Sequence, residues 1–367
     1  MRIVVDVTPL TLPRTGIGNY TVGMLQGLVD AGGGHELVAF APVGPRGART
    51  VRAALDGLPI ERRIVTVPPS SHTWRTLWSR LARPAVERLV GKLDVFHFSD
   101  WMYPSQRNGV RATTVYDLSP LHQPDWVAPL TARMHGRKYE HAARACDVLF
   151  AISRYTARDV TETLGVPTEK VAIAYPGVSA RYSPEGPRTD FGSPYVLSVA
   201  TLEPRKNLAT LVEAFALVRA RRPELQLVVA GAPVSWAEQD LRGEAVRALG
   251  YVPDADLPAL YRGASVLAYP SLLEGFGIPV VEAMASGTPV VTSTHASLDD
   301  ASGDAAVRAD ARSPEALASA IERALVEREH LVPRGFEHAR RFTWRACGEA
   351  VLAGYESAGA APKARLE

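Results

Sequence analysis

Cysteine is almost absent. The 367 residues contain two, Cys146 and Cys347, far apart in the chain. That excludes a disulfide framework and a zinc site of ordinary spacing, and it suits a reducing compartment. No apolar run approaches the ~18 residues of a membrane helix, and Met1-Arg-Ile-Val-Val-Asp6 starts as a strand rather than a leader, so a cytoplasmic protein is expected. An excess of either charge is also missing: Lys and Arg total 41 against 39 Asp and Glu, a net charge of +2, which gives no case for nucleic acid as partner. The full glycine fingerprint of a nicotinamide-binding fold is lacking, which disfavours a dehydrogenase. No repeat of solenoid period is visible. What remains is an ordinary globular composition, 46% hydrophobic and 22% charged, long enough for two domains.

The most informative stretch runs from Pro270 through Glu274, Gly275, Phe276, Gly277, Pro279 and Glu282. The apolar Ser265–Tyr269 reads as a strand, Gly275 and Gly277 as a loop open to close approach, and Pro279 as the first position of a helix. Glu282 is expected in that helix's first turn, leaning toward the loop that holds Glu274. Two acids, bare backbone donors and a positive helix end in one crevice suit a polyhydroxylated ligand carrying phosphate. A Gly-rich strand-to-helix turn with acids at the helix start is also an ordinary α/β feature. The second Glu at the eighth position and the flanking Pro-Val-Val-Glu-Ala-Met-Ala-Ser-Gly-Thr-Pro-Val-Val tip the balance.

The stretch resembles the Glu-x7-Glu signature of the retaining glycosyltransferases of family 4, which have the GT-B fold. That resemblance implies an α/β chain of two Rossmann-like, doubly wound domains facing each other across a cleft, with a C-terminal helix crossing back to the first. The boundaries expected are 1–180 for an acceptor-binding domain, 192–342 for a nucleotide-sugar-binding domain, and 343–360 for the returning helix. The punctuation between residues 179 and 194 marks the linker.

Other segments of the chain resemble the same pattern, with departures. Gly16 and Gly18 precede a helix spaced over Val22, Leu25, Leu28 and Val29, and resemble the family's first-strand loop at the donor phosphate or acceptor; taken alone, a plain left-handed turn is the more common explanation of such glycines. Tyr116-Asp117-Leu118 meets the family's His-Asp-Leu, with Tyr116 where a histidine lies near the donor sugar; a phenol, titrating near pH ~10, is a poor acid–base group at neutral pH. Asp117 can bond an acceptor hydroxyl, or cap the turn before Ser119-Pro120. Pro176 replaces an asparagine at a cleft turn. Arg205 and Lys206, in Glu203-Pro204-Arg205-Lys206-Asn207, fall where a parallel strand ends and a helix begins, and resemble the segment that neutralises a leaving nucleotide diphosphate; Thr201 stands where many relatives have arginine. Tyr251 and Val252 occupy the base-cradling segment, and Asp299 and Asp300 replace a Pro-Glu pair.

By resemblance the chain is a retaining glycosyltransferase that moves a hexose-type sugar from GDP-mannose or a UDP-sugar to a saccharide, lipid-linked or natural-product hydroxyl; no acidic pair of Asp-x-Asp type is read as a metal clamp, so metal independence is expected. It would need no cofactor. Arg205, Lys206, Glu274 and Asp117 are its expected catalytic residues. Gly16, Gly18, Tyr116, Tyr251, Val252, Gly275, Phe276, Gly277 and Glu282 are its expected donor contacts. The rivals are a nucleotide-sugar epimerase of the same architecture and a non-catalytic two-domain sugar-binding protein. The helix over 130–145, with Arg133, Arg137, Lys138 and Arg144, reads as a solvated charged face or, more boldly, as a peripheral membrane contact. Residues 44–59 are expected to be an irregular connection, Trp74, Leu77, Trp78 and Leu81 to lie on helix, and 236–249 to be helical.

Overall fold

The structure is a computed structural model and describes residues 1–12, 16–66, 78, 83–99, 105–234 and 241–360. In chain order its main elements are β1 (Arg2–Asp6), α1 (Gly16–Ala31), β2 (Glu36–Val43), α2 (Pro45–Ala54), β3 (Glu61–Thr66), β4 (Val95–Phe98), β5 (Val110–Val115), α3 (Pro129–Ala145), β6 (Val148–Ala151), α4 (Arg154–Leu164) and β7 (Val171–Ile173). There follow β8 (Tyr195–Val199), α5 (Leu208–Arg219), β9 (Gln226–Ala230), β10 (Val246–Gly250), α6 (Leu257–Gly263), β11 (Val266–Tyr269), α7 (Ile278–Ala285), β12 (Val290–Ser293), β13 (Val307–Ala309), α8 (Pro314–Val326), α9 (Arg328–Ala339) and α10 (Trp344–Ala360).

The chain forms two compact units. One comprises residues 1–121, 129–177 and 344–367; the other comprises 122–128 and 178–343. The first holds a sheet of order β3-β2-β1-β4-β5-β6-β7 and the second a sheet of order β10-β9-β8-β11-β12-β13. Every strand pair is parallel. Parallel strands covered on both faces by helices read as near-continuous apolar runs, which is why Ile3–Val5, Leu149–Ala151 and Leu227–Ala230 are legible as strands. In each sheet the strand order reverses once, between β1 and β4 and between β8 and β11. Loops leaving the carboxyl ends of the two strands at such a reversal diverge and leave a crevice, the usual place for a ligand in this class of sheet.

Four expectations need correction. Residues 45–54 form α2 rather than an irregular connection: Pro45 suits the start, and Ala48, Val51 and the following Leu55 recur at helical spacing and are buried. Residues 246–250 form an edge strand, β10, rather than helix; residues 235–240 lie outside the described ones. Lys138 is fully buried and donates Nζ to the Thr114 carbonyl at 3.2 Å, so it leaves the solvated face on which Arg133, Arg137 and Arg144 remain. Glu282 is the fifth residue of α7, past its first turn, because Ile278 precedes Pro279 in the helix. Of the aromatic stretch expected as helix, Trp78 is buried, while Trp74, Leu77 and Leu81 lie outside the described residues.

The C-terminal helix α10 belongs to the first unit, where it crosses α1. The crossing depends on small residues: a Cβ on Gly27 would sit 1.9 Å from the Trp344 carbonyl oxygen, and one on Gly348 would sit 2.1 Å from the Gly27 backbone. A second attachment lies deeper. His97 of β4 places Nδ1 2.6 Å from the Tyr355 hydroxyl of α10 and Nε2 2.9 Å from Thr114 Oγ1, and its ring stacks on Phe150. Complete burial, with the Lys138 charge nearby, lowers the imidazole to about 3, so it stays neutral.

Two outcomes follow for stability. Gly348→Ala forces α1 and α10 apart and is expected to cost about 3 kcal/mol, whereas Gly359→Ala, exposed on the same helix and 3.6 Å from its nearest neighbour, is expected to be neutral or slightly stabilising; urea midpoints compare the two. His97 titrates lower folded than unfolded, so its contribution is complete above about pH 6.5 and is lost as pH falls toward its folded value. Between pH 7 and 5 the loss is about 2 kcal/mol, and His97→Gln should remove that part of the slope in urea melts.

Candidate functional site

The exit loops of β8 and β11 meet at the strand-order reversal of the second sheet. After β8 the chain makes one tight turn, Pro204–Lys206, and Asn207 then takes a left-handed conformation at φ 58° before α5 starts. The Asn207 side chain ties this corner down, donating to the carbonyls of Ala311 at 2.6 Å and Pro270 at 3.3 Å and accepting from Thr210 Oγ1 at 2.7 Å. After β11, residues 270–277 run to α7, with Gly277 at φ 99° where a Cβ would strike Leu298 at 2.7 Å, so this position requires glycine. The Leu272 amide donates to the Arg205 carbonyl at 2.8 Å and joins the two loops.

This joining brings Arg205, Lys206 and Glu274 together. Arg205 Nη1 donates to Glu274 Oε2 at 2.8 Å and Lys206 Nζ to Oε1 at 2.5 Å. The Tyr269 hydroxyl also donates to Oε1, at 2.8 Å, and Arg205 Nε pairs with Glu203 at 2.8 Å. Glu274 and Lys206 are 6% and 7% exposed, so the charges meet largely away from water. Burial alone would raise the Glu274 carboxyl, but Arg205 and Lys206 together outweigh it and hold the group down at about 2. Lys206 is lowered, by burial first and by Arg205 second, with Glu274 opposing. Glu274 is therefore a permanent anion clasped by two cations.

Glu282 does not join that cluster. It is buried on α7, where Oε2 accepts from the Tyr261 hydroxyl of α6 at 3.0 Å. Burial raises it to about 7, and the phenols of Tyr182 and Tyr261 offset only part of the rise. Phe276 is buried with its ring 5.0 Å from that of Phe342. Tyr251 and Val252 follow the carboxyl end of β10, with Tyr251 half exposed.

The remaining expected residues lie in the first unit. Gly16 begins α1 and is exposed, while Gly18 is buried. Tyr116 and Asp117 follow the carboxyl end of β5, and Tyr116 meets the edge of Tyr20 with ring centroids 5.4 Å apart. Asp117 Oδ1 accepts from the Ser119 amide at 2.9 Å and from its hydroxyl at 2.5 Å, which is the turn cap weighed as its alternative. Sequence reasoning missed Tyr261, Tyr269 and Ser297, the last of which accepts the Glu274 amide at 3.0 Å. Their only signal was position at strand and helix ends near the acids they serve.

The expectation that the chain holds no acidic pair of Asp-x-Asp type needs correction. Asp254-Ala255-Asp256 has the spacing of an acidic pair, but Asp254 lies 3.8 Å from Arg181 and Asp256 immediately precedes α6. Among the described residues no three His, Cys, Asp or Glu gather as metal ligands would. No helix among them is long and apolar enough to cross a membrane.

Two family models match consecutive parts of the chain: Glycosyltransferase Family 4 over residues 14–182, and Glycosyl transferases group 1 over residues 183–341. The chain is 27% identical to the O-antigen chain mannosyltransferase B of Escherichia coli, over 97% of this chain and 100% of that protein. In fold it is similar to a sucrose-phosphate synthase from Thermosynechococcus elongatus, with a TM-score of 0.71 at 18% identity, covering 97% of this chain and 98% of that one. It is also similar to the Anabaena protein HepE solved in complex with UDP and glucose, with a TM-score of 0.69 at 16% identity, covering 97% of this chain and all of the other. The two matched segments together span residues 14–341, and the chain belongs to family 4 of the glycosyltransferases, retaining enzymes of the GT-B fold that take a sugar from a nucleotide donor.

Proposed function

We propose that the enzyme moves a hexose-type sugar from a nucleotide diphosphate donor, GDP-mannose or a UDP-sugar, to a hydroxyl of a saccharide, lipid-linked or natural-product acceptor. The observation that carries this reading is the Arg205–Lys206–Glu274 cluster at the β8/β11 reversal. A pair of cations held by one carboxylate, Lys206 buried and Arg205 partly so, is already oriented before ligand arrives, so stabilising charge on a departing diphosphate needs little reorganisation. The departing phosphate shares the two cations with Glu274, which in turn keeps its negative charge beside the sugar as positive charge develops there. Backbone amides of Gly275, Phe276 and Gly277 serve sugar hydroxyls and phosphate. Glu282 accepts from the ribose diol, and Tyr251 and Val252 lie against the base. The leaving phosphate itself takes the acceptor's proton. Among candidate donors GDP-mannose has the further support of the full-length similarity to the O-antigen chain mannosyltransferase B.

Thermal shift with GDP-mannose, UDP-glucose and the free diphosphates identifies the donor, since a ligand of the folded state raises the midpoint by mass action. Release of diphosphate without any new sugar isomer separates transfer and slow hydrolysis from epimerisation; binding with no turnover at all would leave only the sugar-binding reading.

Lys206→Ala is expected to lower turnover about 10²- to 10³-fold, measured as diphosphate release from the donor that binds, with a much smaller change in the amount of folded protein. A rate equal to the parent's removes Lys206 from the mechanism. Glu282→Ala is expected to raise the donor's apparent dissociation constant with little change in turnover. Because Glu282 titrates at about 7 and only its anion accepts two hydrogen bonds from a diol, donor affinity should weaken about tenfold from pH 8 to 6, and the Ala variant should lose that dependence. An unchanged affinity in Glu282→Ala defeats the ribose assignment.

A further inference from the structure

Glu274 is gripped from its backbone as well as its carboxylate. Its amide donates to Ser297 Oγ at 3.0 Å, and Ser297 Oγ lies 2.9 Å from His295 Nδ1. The same Nδ1 accepts the Ser297 amide at 3.2 Å. An imidazole nitrogen that accepts an N–H carries no proton, so the ring proton of His295 is on Nε2 and the Ser297 hydroxyl donates to Nδ1 while accepting from Glu274. Ser297 is 1% exposed, leaving it little freedom to choose other partners. The loop that carries both residues is braced by Arg308 of β13, which donates to the carbonyls of Ser293 at 3.1 Å and His295 at 2.9 Å and pairs with Asp299 at 2.5 Å.

We propose that His295 and Ser297 are positioning residues that fix the backbone at Glu274, and through it the carboxylate between Arg205 and Lys206, in a relay that works while the His295 ring is neutral. This inference rests on the reading of Glu274 as part of the donor site. Adding a proton to His295 puts it on Nδ1. That atom then turns from acceptor to donor, facing the Ser297 N–H, and the Ser297 hydroxyl loses the acceptor for its own proton. Ser297 must rotate or its loop must shift, and the Glu274 amide loses its fixed partner. The charged groups acting on His295 are Asp299 on the residues just after it, which favours protonation, and Arg308 and Arg312 on and after β13, which oppose it. Burial is the largest influence and also opposes protonation, so the ring titrates below its ordinary value and is neutral at pH 7.

The test uses the full chain labelled with [15N]histidine and [15N]glutamate, together with the pH profile of diphosphate release from GDP-mannose and UDP-glucose. In the parent protein the Glu274 amide resonance should move with the His295 ring titration, and turnover should fall below the same midpoint. His295→Asn keeps an acceptor that does not titrate; it should cost severalfold in turnover at pH 8 but flatten both curves. Ser297→Ala should uncouple the amide from the ring and lower kcat about tenfold or more while the donor KM stays within about threefold. Asp299→Asn removes the charge that favours protonation of His295 and should move the ring, the amide and the acid limb to lower pH together. The proposal is overturned if the Glu274 amide is flat across the His295 titration, if His295→Asn keeps the parent's acid limb in kcat, or if Asp299→Asn moves the ring but not the amide. Coupling of amide to ring with no release from either donor at any pH would instead retire the donor-site reading and leave the relay standing as a structural device.

Discussion

A carboxylate buried between a guanidinium and an ammonium is the interaction on which the candidate site depends. Taking one carboxylate out of water costs several kcal/mol, and a single surface-type pair would not repay it. Two cations and a phenol do repay it at Glu274. A carboxyl brought from 4.5 to about 2 favours its anion by roughly 3 kcal/mol more than it does in water. The arrangement is possible because β8 and β11 are neighbours in space though a long way apart in sequence, and because the order of strands reverses between them. The fold therefore does more than carry the site. It supplies the two divergent loops whose meeting makes the charges affordable.

The same cluster changes how the cations at residues 205 and 206 are understood. On sequence they read as a positive patch waiting for phosphate. In the structure Glu203 and Glu274 balance Arg205 and Lys206 one for one, so the cluster is locally close to neutral. Under the proposed function, a diphosphate entering it would meet oriented donors rather than unopposed positive charge. Attraction at long range is weak in such an arrangement, and selectivity comes from geometry at contact distance, where fixed donors act without reorganising.

Much of the fold was legible because buried parallel strands advertise themselves as apolar runs, and because capping residues stand at helix starts, as where the hydroxyls of Ser153 and Ser313 accept from the amides of Thr156 and Ala316. What failed did so for physical reasons. β10 is an edge strand with no fully buried residue, and Val246 to Gly250 carries no strict alternation to separate it from helix. The helix α2 hides in a Gly-, Pro- and Arg-rich segment whose apolar face is only Ala48, Val51 and the following Leu55. The burial of Lys138 depends on the Thr114 carbonyl, a tertiary partner with no trace in local pattern. Within the candidate site, the residues proposed to touch a ligand were named from the motif, whereas those that hold them in place carry no such signal. Tyr261 is 21 residues from Glu282 and Ser297 is 23 from Glu274, and only the sheet order brings each pair together.

The two glutamates of the motif make the deeper point. They are eight residues apart, both buried, and identical in chemistry, yet their environments push them in opposite directions, to about 2 at Glu274 and about 7 at Glu282. The difference comes from partners: two cations for the first, two phenols for the second. A group locked as an anion suits a steady electrostatic task next to a charge-developing sugar. A group poised near neutrality gains its charge most readily when a ligand offers hydrogen bonds to it, so its ionisation and ligand binding are coupled. Separation of two titrations by environment is how one short motif can divide catalysis from recognition. In this chain the two environments are set by the loop after β8 on one side and by α6 on the other, elements that the motif itself does not contain.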